Sequence, residues 1–277
     1  MVRSLRLLLT SRGACSSWRR VSALETIDPP SPLLIALEGR AWLEFASFLA
    51  ALPVLARAPR GDGHPVLVLP GWLAGDRSTQ ALRWFLRDRG YHVHGWKLGW
   101  NLGPSEEMVR AIGQRFRALR ARHTRPISLI GWSLGGIYAR ELARRFPEDV
   151  RQVITLATPF RDPWATTMGR LYRGRRAPED ALLHHYLRTP VPVPSTSIYS
   201  RTDGVVAWRS CLHDPGPLRE NVEVRSSHCG MGHHPAALLV VADRLAQLEG
   251  CWRPFRPRGW SQWPPFQASV PTPAAAG

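Results

Sequence analysis

Lysine is almost absent from this chain of 277 residues: Lys97 stands alone, and all other basic side chains are arginines. Basic residues number 37 against 21 acidic ones, a formal net charge of +16. The arginines lie throughout, on helix-patterned stretches such as Arg115, Arg117, Arg120 and Arg122, and gather into no stripe or known module. Nucleic-acid binding wants such a stripe, so no nucleic-acid partner is expected. The charge does favour long-range attraction to anionic surfaces, lipid headgroups included. Cysteine is scarce as well. Cys15, Cys211, Cys229 and Cys251 form no C-x-x-C pair, which excludes a zinc ribbon and a thioredoxin-type site, and they are too few for a disulfide scaffold. Long apolar runs are missing: none reaches the roughly 18 residues that span a bilayer. The run Leu7-Leu8-Leu9, bracketed by Arg6 and Arg12, falls short of the roughly 7–15 residues of a secretory signal core. The expectation is a cytoplasmic protein, with peripheral contact at an anionic membrane surface left open and oligomeric state unread.

What is present is a folding composition, 44% hydrophobic and 21% charged, in a length that suits one sizeable core. Residues 1–31 are basic and irregular, end in Asp28-Pro29-Pro30, and read as a flexible lead-in. Residues 32–60 are rich in alanine and leucine, with Trp42, Phe45, Phe48 and Leu49 at helical spacing. They read as a helix packed on the domain or, being apolar all round, as one lying against lipid. Residues 61–252 alternate strand and helix patterns. Strands are expected at 66–69, 91–95, 127–130, 153–157, 196–200 and 222–225, and helices at 77–89, 105–122, 134–146 and 235–248. Such alternation implies an α/β fold, a mostly parallel sheet covered on both faces by helices. An irregular insertion, 158–194, interrupts the pattern where a cap or lid would sit. It carries Trp164, Met168, Leu171, Tyr172, Leu182 and Leu183, side chains suited to an acyl chain. The tail, 253–277, is rich in proline and tryptophan and reads as disordered.

The most specific local signal is Gly131-Trp132-Ser133-Leu134-Gly135-Gly136, between an expected strand and an expected helix. G-x-S-x-G in that context is a nucleophile elbow: a sharp turn that holds the serine hydroxyl above the sheet. Its glycines leave room where chain segments crowd the turn. The helix that starts there aims free N–H groups at the site. A serine hydroxyl needs a base, and the base needs an orienting acid. The acid is expected at Asp203, which follows the strand at 196–200, with Asp162 as rival after the preceding strand. The base is expected at His228, on a loop of small residues after the last strand; His233 and His234 stand beside it. His234 precedes Pro235 and begins the closing helix, which argues against it. The cluster His228, Cys229, His233 and His234 also has metal-ligating residue types, but no carboxylate-rich segment accompanies it, so neither metal nor cofactor is expected. Leu69-Pro70-Gly71-Trp72-Leu73 follows the first strand, which makes the Trp72 and Leu134 N–H groups the expected oxyanion donors. Trp132 and Leu73 are the expected substrate contacts.

Taken together, Leu69-Pro70-Gly71-Trp72, Gly131-Trp132-Ser133-Leu134-Gly135, Ser200-Arg201-Thr202-Asp203 and Ser227-His228 resemble the lipase and esterase branch of the α/β-hydrolases, including triacylglycerol-lipase-like bacterial proteins. The resemblance spans roughly residues 63–250. It implies Ser133 as nucleophile, His228 as general base, Asp203 as its acid, and hydrolysis of lipid-like or small hydrophobic carboxylic esters without a cofactor. Two positions depart from the common lipase pattern: Pro70 stands where many carry histidine at the oxyanion turn, and Trp132 where many carry histidine before the nucleophile. Thioester hydrolysis and acyl transfer use the same groups, and a silent binding module of this fold is the alternative outside enzymes.

Overall fold

The computed structural model describes residues 27–169, 179–257 and 268–269; the lead-in before residue 27, the insertion at 170–178 and the rest of the tail lie outside the described residues. In chain order the elements are α1 (Pro32–Ala36), a 3-10 turn, α2 (Ala41–Ala50), α3 (Leu52–Leu55), β1 (Pro65–Leu69), α4 (Gln80–Asp88), β2 (His92–Gly95), α5 (Glu106–Arg120), β3 (Ile127–Trp132), α6 (Leu134–Arg145), β4 (Val150–Leu156), α7 (Glu179–Arg188), β5 (Ser195–Tyr199), β6 (Arg219–Val224), α8 (Pro235–Leu245) and β7 (Ala268–Ser269). The sheet runs β2-β1-β3-β4-β5-β6-β7. The first six strands are parallel, and β7 joins β6 antiparallel. The mostly parallel sheet expected from the sequence is therefore the one observed.

Strands buried on both faces read as continuous apolar runs, and their alternate side chains divide the core in two. Val66, Val68, Ile130, Ile154 and Ile198 face one side, where α4 and α8 pack with Leu82, Phe85, Leu86, Leu238 and Val241. Leu67, Leu69, Leu129 and Val153 face the other, against Ile112, Phe116 and Leu119 of α5 and Leu142 of α6. The spacing 112, 116, 119 is one stripe of a helix. Ser105 caps α5 by accepting the Met108 N–H at 3.0 Å, with Glu106 and Glu107 in its first turn. Because the chain moves from β1 outward to β2 and then returns past β1 to β3, connections diverge at the C-terminal ends of β1 and β3. Such a divergence opens the crevice where open α/β sheets bind ligands.

The N-terminal helices form a strap rather than one helix. α2 and α3 dock on the core through Phe48, Ala51 and Leu55, while Trp42 and Leu43 stay 82% and 73% exposed. Of the insertion, α7 is tied to α6: Arg140 Nη2 donates to the carbonyls of Leu187 and Thr189, both at 3.0 Å. Arg144 Nη2 donates to the same Thr189 carbonyl at 2.6 Å. The expected acyl-contact residues Leu171 and Tyr172, and the side chains of Leu182 and Leu183, lie outside the described residues. In the tail, Phe255 is buried and its N–H donates to Glu220 Oε2 at 2.5 Å. Residues 268–269 pair with β6, so part of the segment read as disordered is docked on the sheet edge.

Candidate active site

Ser133 stands between β3 and α6 with φ 53° and ψ −121°, a left-handed conformation that costs a β-carbon-bearing residue about 1–3 kcal/mol. The surroundings impose it. The Ser133 N–H donates to the Leu156 carbonyl at 2.8 Å and its carbonyl accepts from Gly136 N–H at 3.0 Å. The flanking glycines are there for space. A Cβ on Gly131 would lie 2.3 Å from Gly136 Cα, and one on Gly135 would lie 2.3 Å from the Leu69 carbonyl oxygen. Gly71 comes from the end of β1 and lies directly against the serine: its added Cβ would be 3.2 Å from Ser133 Cβ. Among the described residues the N–H groups of Trp72 and Leu134 have no acceptor. Two residues that share a cavity with Ser133 thus carry unpaired backbone donors, one of them at the start of a helix, where the dipole favours negative charge.

Asp203 and His228 arrive on the loops after β5 and β6 and meet. His228 Nδ1 donates to Asp203 Oδ2 at 2.8 Å, with both side chains almost wholly buried. The other carboxylate oxygen, Oδ1, accepts the N–H groups of Val205 at 2.8 Å and Val206 at 2.7 Å. Burial by itself would lower the His228 pKa; the charge and hydrogen bond of Asp203, with the charge of Glu38, outweigh it and raise the value above that of a free histidine. The loop carrying His228 folds back over the elbow, for a Cβ on Gly232 would lie 2.6 Å from the Trp132 ring. Ser133 Oγ and the outer ring nitrogen Nε2 have no hydrogen-bond partner among the described residues, an open arrangement common before substrate binds.

The rival acid has other work. Asp162 accepts Trp164 N–H at 2.9 Å and lies 3.6 Å from His184 Nε2. His233 Nε2 donates to the Ala41 carbonyl at 3.2 Å, and His234 sits at the start of α8. Among the described residues no group of three or more His, Cys, Asp or Glu is arranged to hold a metal ion, and no helix is long and apolar enough to cross a membrane.

In front of Ser133 lies a cavity of about 160 Å³ lined by Trp72, Leu134, Ile137, Trp164, Met168 and Val206, among others. Its wall is built by pairing the insertion with the acid loop: Thr167 N–H donates to the Val205 carbonyl at 2.8 Å and Ala207 N–H to the Ala165 carbonyl at 2.9 Å. Trp132 and Leu73, expected as substrate contacts, do not line it. Trp132 ends β3 with its side chain in the core beneath Gly232. Leu73 adopts φ 53° and is 52% exposed, its N–H held by the Asn101 carbonyl at 2.7 Å.

Sequence reasoning missed two residues altogether, Glu38 and Glu44 of the strap. Glu44 accepts Ser227 N–H at 2.8 Å and the Ser227 hydroxyl, beside the histidine. The available signal was compositional, since these are the only acidic residues in an apolar stretch from residue 33 to 60.

No family model matches the chain. Over 98 residues it is 31% identical to a pimeloyl-[acyl-carrier protein] methyl ester esterase of Shewanella woodyi, covering 35% of this chain and 37% of the relative. Its structure is similar to Aspergillus fumigatus lipase B, with a TM-score of 0.52 and 16% identity over 67% of this chain and 52% of that one. It is also similar to the mature form of Bacillus licheniformis lipase BlEst2, with a TM-score of 0.51 and 14% identity over 69% of this chain and 95% of that one. The chain thus matches about a third of the curated relative and half of the fungal lipase. Identities at this level speak to architecture, and the parallel sheet with its strand–turn–helix at Ser133 agrees: the chain has the α/β-hydrolase fold.

Proposed function

We propose that the protein is a serine hydrolase of carboxylic esters with small hydrophobic or lipid-like acyl groups. The observation that carries the reading is the buried Asp203–His228 pair, delivered to the end of the sheet where Ser133 is held in a strained turn beside two unpaired N–H groups. In the forward half-reaction, Ser133 Oγ attacks the carbonyl carbon while its proton passes to His228 Nε2. The oxyanion is held by the Trp72 and Leu134 N–H groups, a contribution typically worth about 3–4 kcal/mol per donor. Collapse breaks the ester C–O bond, and the leaving alkoxide takes the proton from His228, leaving an acyl-serine. Water then attacks, gives its proton to Nε2, and the second collapse returns that proton to Oγ and frees the acid. Asp203 keeps the Nδ1–H tautomer and favours the imidazolium formed in each half. The apolar cavity supports an aliphatic or aromatic acyl group, and the esterase and lipase names of the similar proteins point the same way.

The test is labelling of the purified chain with a fluorophosphonate probe beside Ser133→Ala, followed by turnover of aryl esters of increasing acyl length. Ser133→Ala is expected to abolish labelling and to lower turnover on the order of a millionfold. A folded wild type that neither labels nor turns over any ester would overturn the reading.

A further inference from the structure

The strap made by α1 and α2 does more than cover the core, because its polar side chains end on the two loops that carry Asp203 and His228. Glu38 Oε1 accepts Gly204 N–H at 2.7 Å and His228 N–H at 2.9 Å, and Oε2 accepts Cys229 N–H at 3.0 Å. Gly204 is the residue after Asp203. One carboxylate therefore joins the acid loop to the histidine loop through the main chain of both. Its neighbours reinforce the grip. Arg40 Nη2 donates to the Thr202 carbonyl at 2.7 Å, just before Asp203. An added Cβ on Gly204 would sit 2.2 Å from the Leu34 carbonyl, and one on Gly230 would overlap Glu44 Oε2.

We infer that Glu38 is a positioning residue for the proposed reaction, a carboxylate supplied from outside the sheet that fixes the Asp203 and His228 loops relative to one another. The inference rests on the reading of Ser133, Asp203 and His228 given above. Only an ionised carboxylate can serve here: three N–H donors converge on it, and a carboxylate has acceptor sites for all of them, whereas an amide has one acceptor oxygen. Burial would discourage ionisation of Glu38, but the three backbone hydrogen bonds and the nearby His228 hold its pKa below the usual glutamate value. The same charge acts on the ring. The ionisable groups gathered around His228 are Asp203 on its own hydrogen bond, Glu38 from the strap, and Cys229 and His233 on the loop, with Arg40 and Glu44 of the strap behind them. A packing role alone would require no charge, and the apolar contacts of Phe48 and Leu55 already serve that purpose.

The experiment compares the full chain with Glu38→Gln and Glu38→Asp. Three quantities are read: the thermal midpoint, the rate of fluorophosphonate labelling between pH 5 and 9, and the pKa of His228 by NMR of the ring protons. Glu38→Gln keeps the size of the side chain but loses the charge and one acceptor. It is expected to label about 10- to 100-fold more slowly, the range set by a displacement of up to about 1 Å at the base. Its His228 pKa is expected to fall, moving the acid limb of the labelling profile to lower pH. Glu38→Asp keeps the charge and pulls it back by one methylene, so labelling slows while the His228 pKa stays nearer that of the wild type. This milder variant also keeps the question answerable if Glu38→Gln does not fold. Wild-type labelling rates and an unmoved His228 pKa in a folded variant would overturn the inference and leave Glu38 as a staple of the strap. An unlabelled wild type counts against the serine-hydrolase reading instead, and the NMR titration still decides whether Glu38 acts on His228.

Discussion

Asp203→Asn is the change whose consequence the structure defines most sharply. Asp203 Oδ1 accepts two backbone N–H groups, from Val205 and Val206, and Oδ2 faces His228 Nδ1. An asparagine can be placed in two ways. Turning its NH2 towards Val205 and Val206 would leave two buried backbone donors facing a third donor, at about 1–3 kcal/mol for each lost partner. Turning its oxygen towards them preserves both bonds and points the NH2 at the histidine. The second placement wins, and it makes Nδ1 an acceptor, which moves the ring proton to Nε2. The ring can then no longer take a proton from Ser133. In the serine-protease triad the corresponding wrong tautomer lowers kcat about ten-thousandfold, and a loss of that order is expected here with little change in KM. Because all three hydrogen bonds persist, the thermal midpoint should move little. Single-turnover acylation of an aryl ester and fluorophosphonate labelling both report the step. A folded Asp203→Asn enzyme within tenfold of wild type would refute the argument and remove Asp203 from the mechanism. Asp162→Asn is the matched control: Asp162 serves Trp164 and lies beside His184, so activity should stay within tenfold.

Two further predictions concern the scaffold. Gly135→Ala would drive a Cβ to 2.3 Å from the Leu69 carbonyl and 2.7 Å from that of Pro70. It should cost about 1–3 kcal/mol or more of stability, read as a Tm lower by roughly 2–10 °C, and slow labelling by displacing Gly71 and Trp72; an unchanged Tm would contradict the crowding argument. His64, buried at the start of β1, has its pKa pushed down to about 4 by burial, against the Asp62 hydrogen bond that raises it. Between pH 6.5 and 4 the unfolded chain binds a proton that folded His64 refuses, so stability falls on acidification, by roughly 3 kcal/mol across that window. His64→Gln should flatten the dependence of Tm on pH there, and an identical slope in both proteins would assign the acid lability elsewhere.

How far the site could be read from sequence depended on how local each signal was. Strand runs such as Val66–Leu69 carry their own pattern because both faces are buried, and the Ser133 elbow is specified by glycines within three residues of it. The acid was harder, since Asp162 and Asp203 both follow strands and both accept backbone N–H groups two residues on. Only the tertiary fold separates them, one facing His184 and the other His228. Trp132 and Leu73 adjoin candidate site residues in sequence but do not line the cavity, because alternation along β3 sends Trp132 into the core and Leu73, at a positive φ, is half exposed. Glu38 reaches residues 166 to 191 positions away; no local pattern encodes such a contact, and only the oddity of an acid in an apolar stretch hinted at it.

Two hydrogen-bonded Ser–His pairs occur among the described residues, and the contrast between them and Ser133 shows what singles out Ser133. His64 Nδ1 donates to Asp62 at 2.5 Å and its Nε2 accepts from the Ser128 hydroxyl at 2.8 Å, a complete serine–histidine–carboxylate relay. Ser195 Oγ likewise bonds His213 Nε2 at 3.1 Å. Yet Ser128 and Ser195 lie at the N-terminal ends of β3 and β5, in regular strand conformation and with 0% and 2% exposure. Buried to that degree, they are out of reach of a substrate carbonyl. These relays act as buried staples; in the His64 relay, desolvation holds the imidazole neutral well below physiological pH. At the opposite end of β3 the physical terms reverse. Ser133 borders a cavity and has positive φ, its hydroxyl has no hydrogen-bond partner among the described residues, and His228, on the loop that leaves the same end of the sheet, is shifted towards the protonated form by two carboxylates. A serine that already satisfies its own hydrogen bonds in the folded core has nothing to offer a substrate. A strained and unsatisfied one, placed where the strand connections diverge, gains partners only when a substrate arrives. That difference in satisfaction is the physical ground for placing the proposed chemistry at the Ser133 end of the sheet.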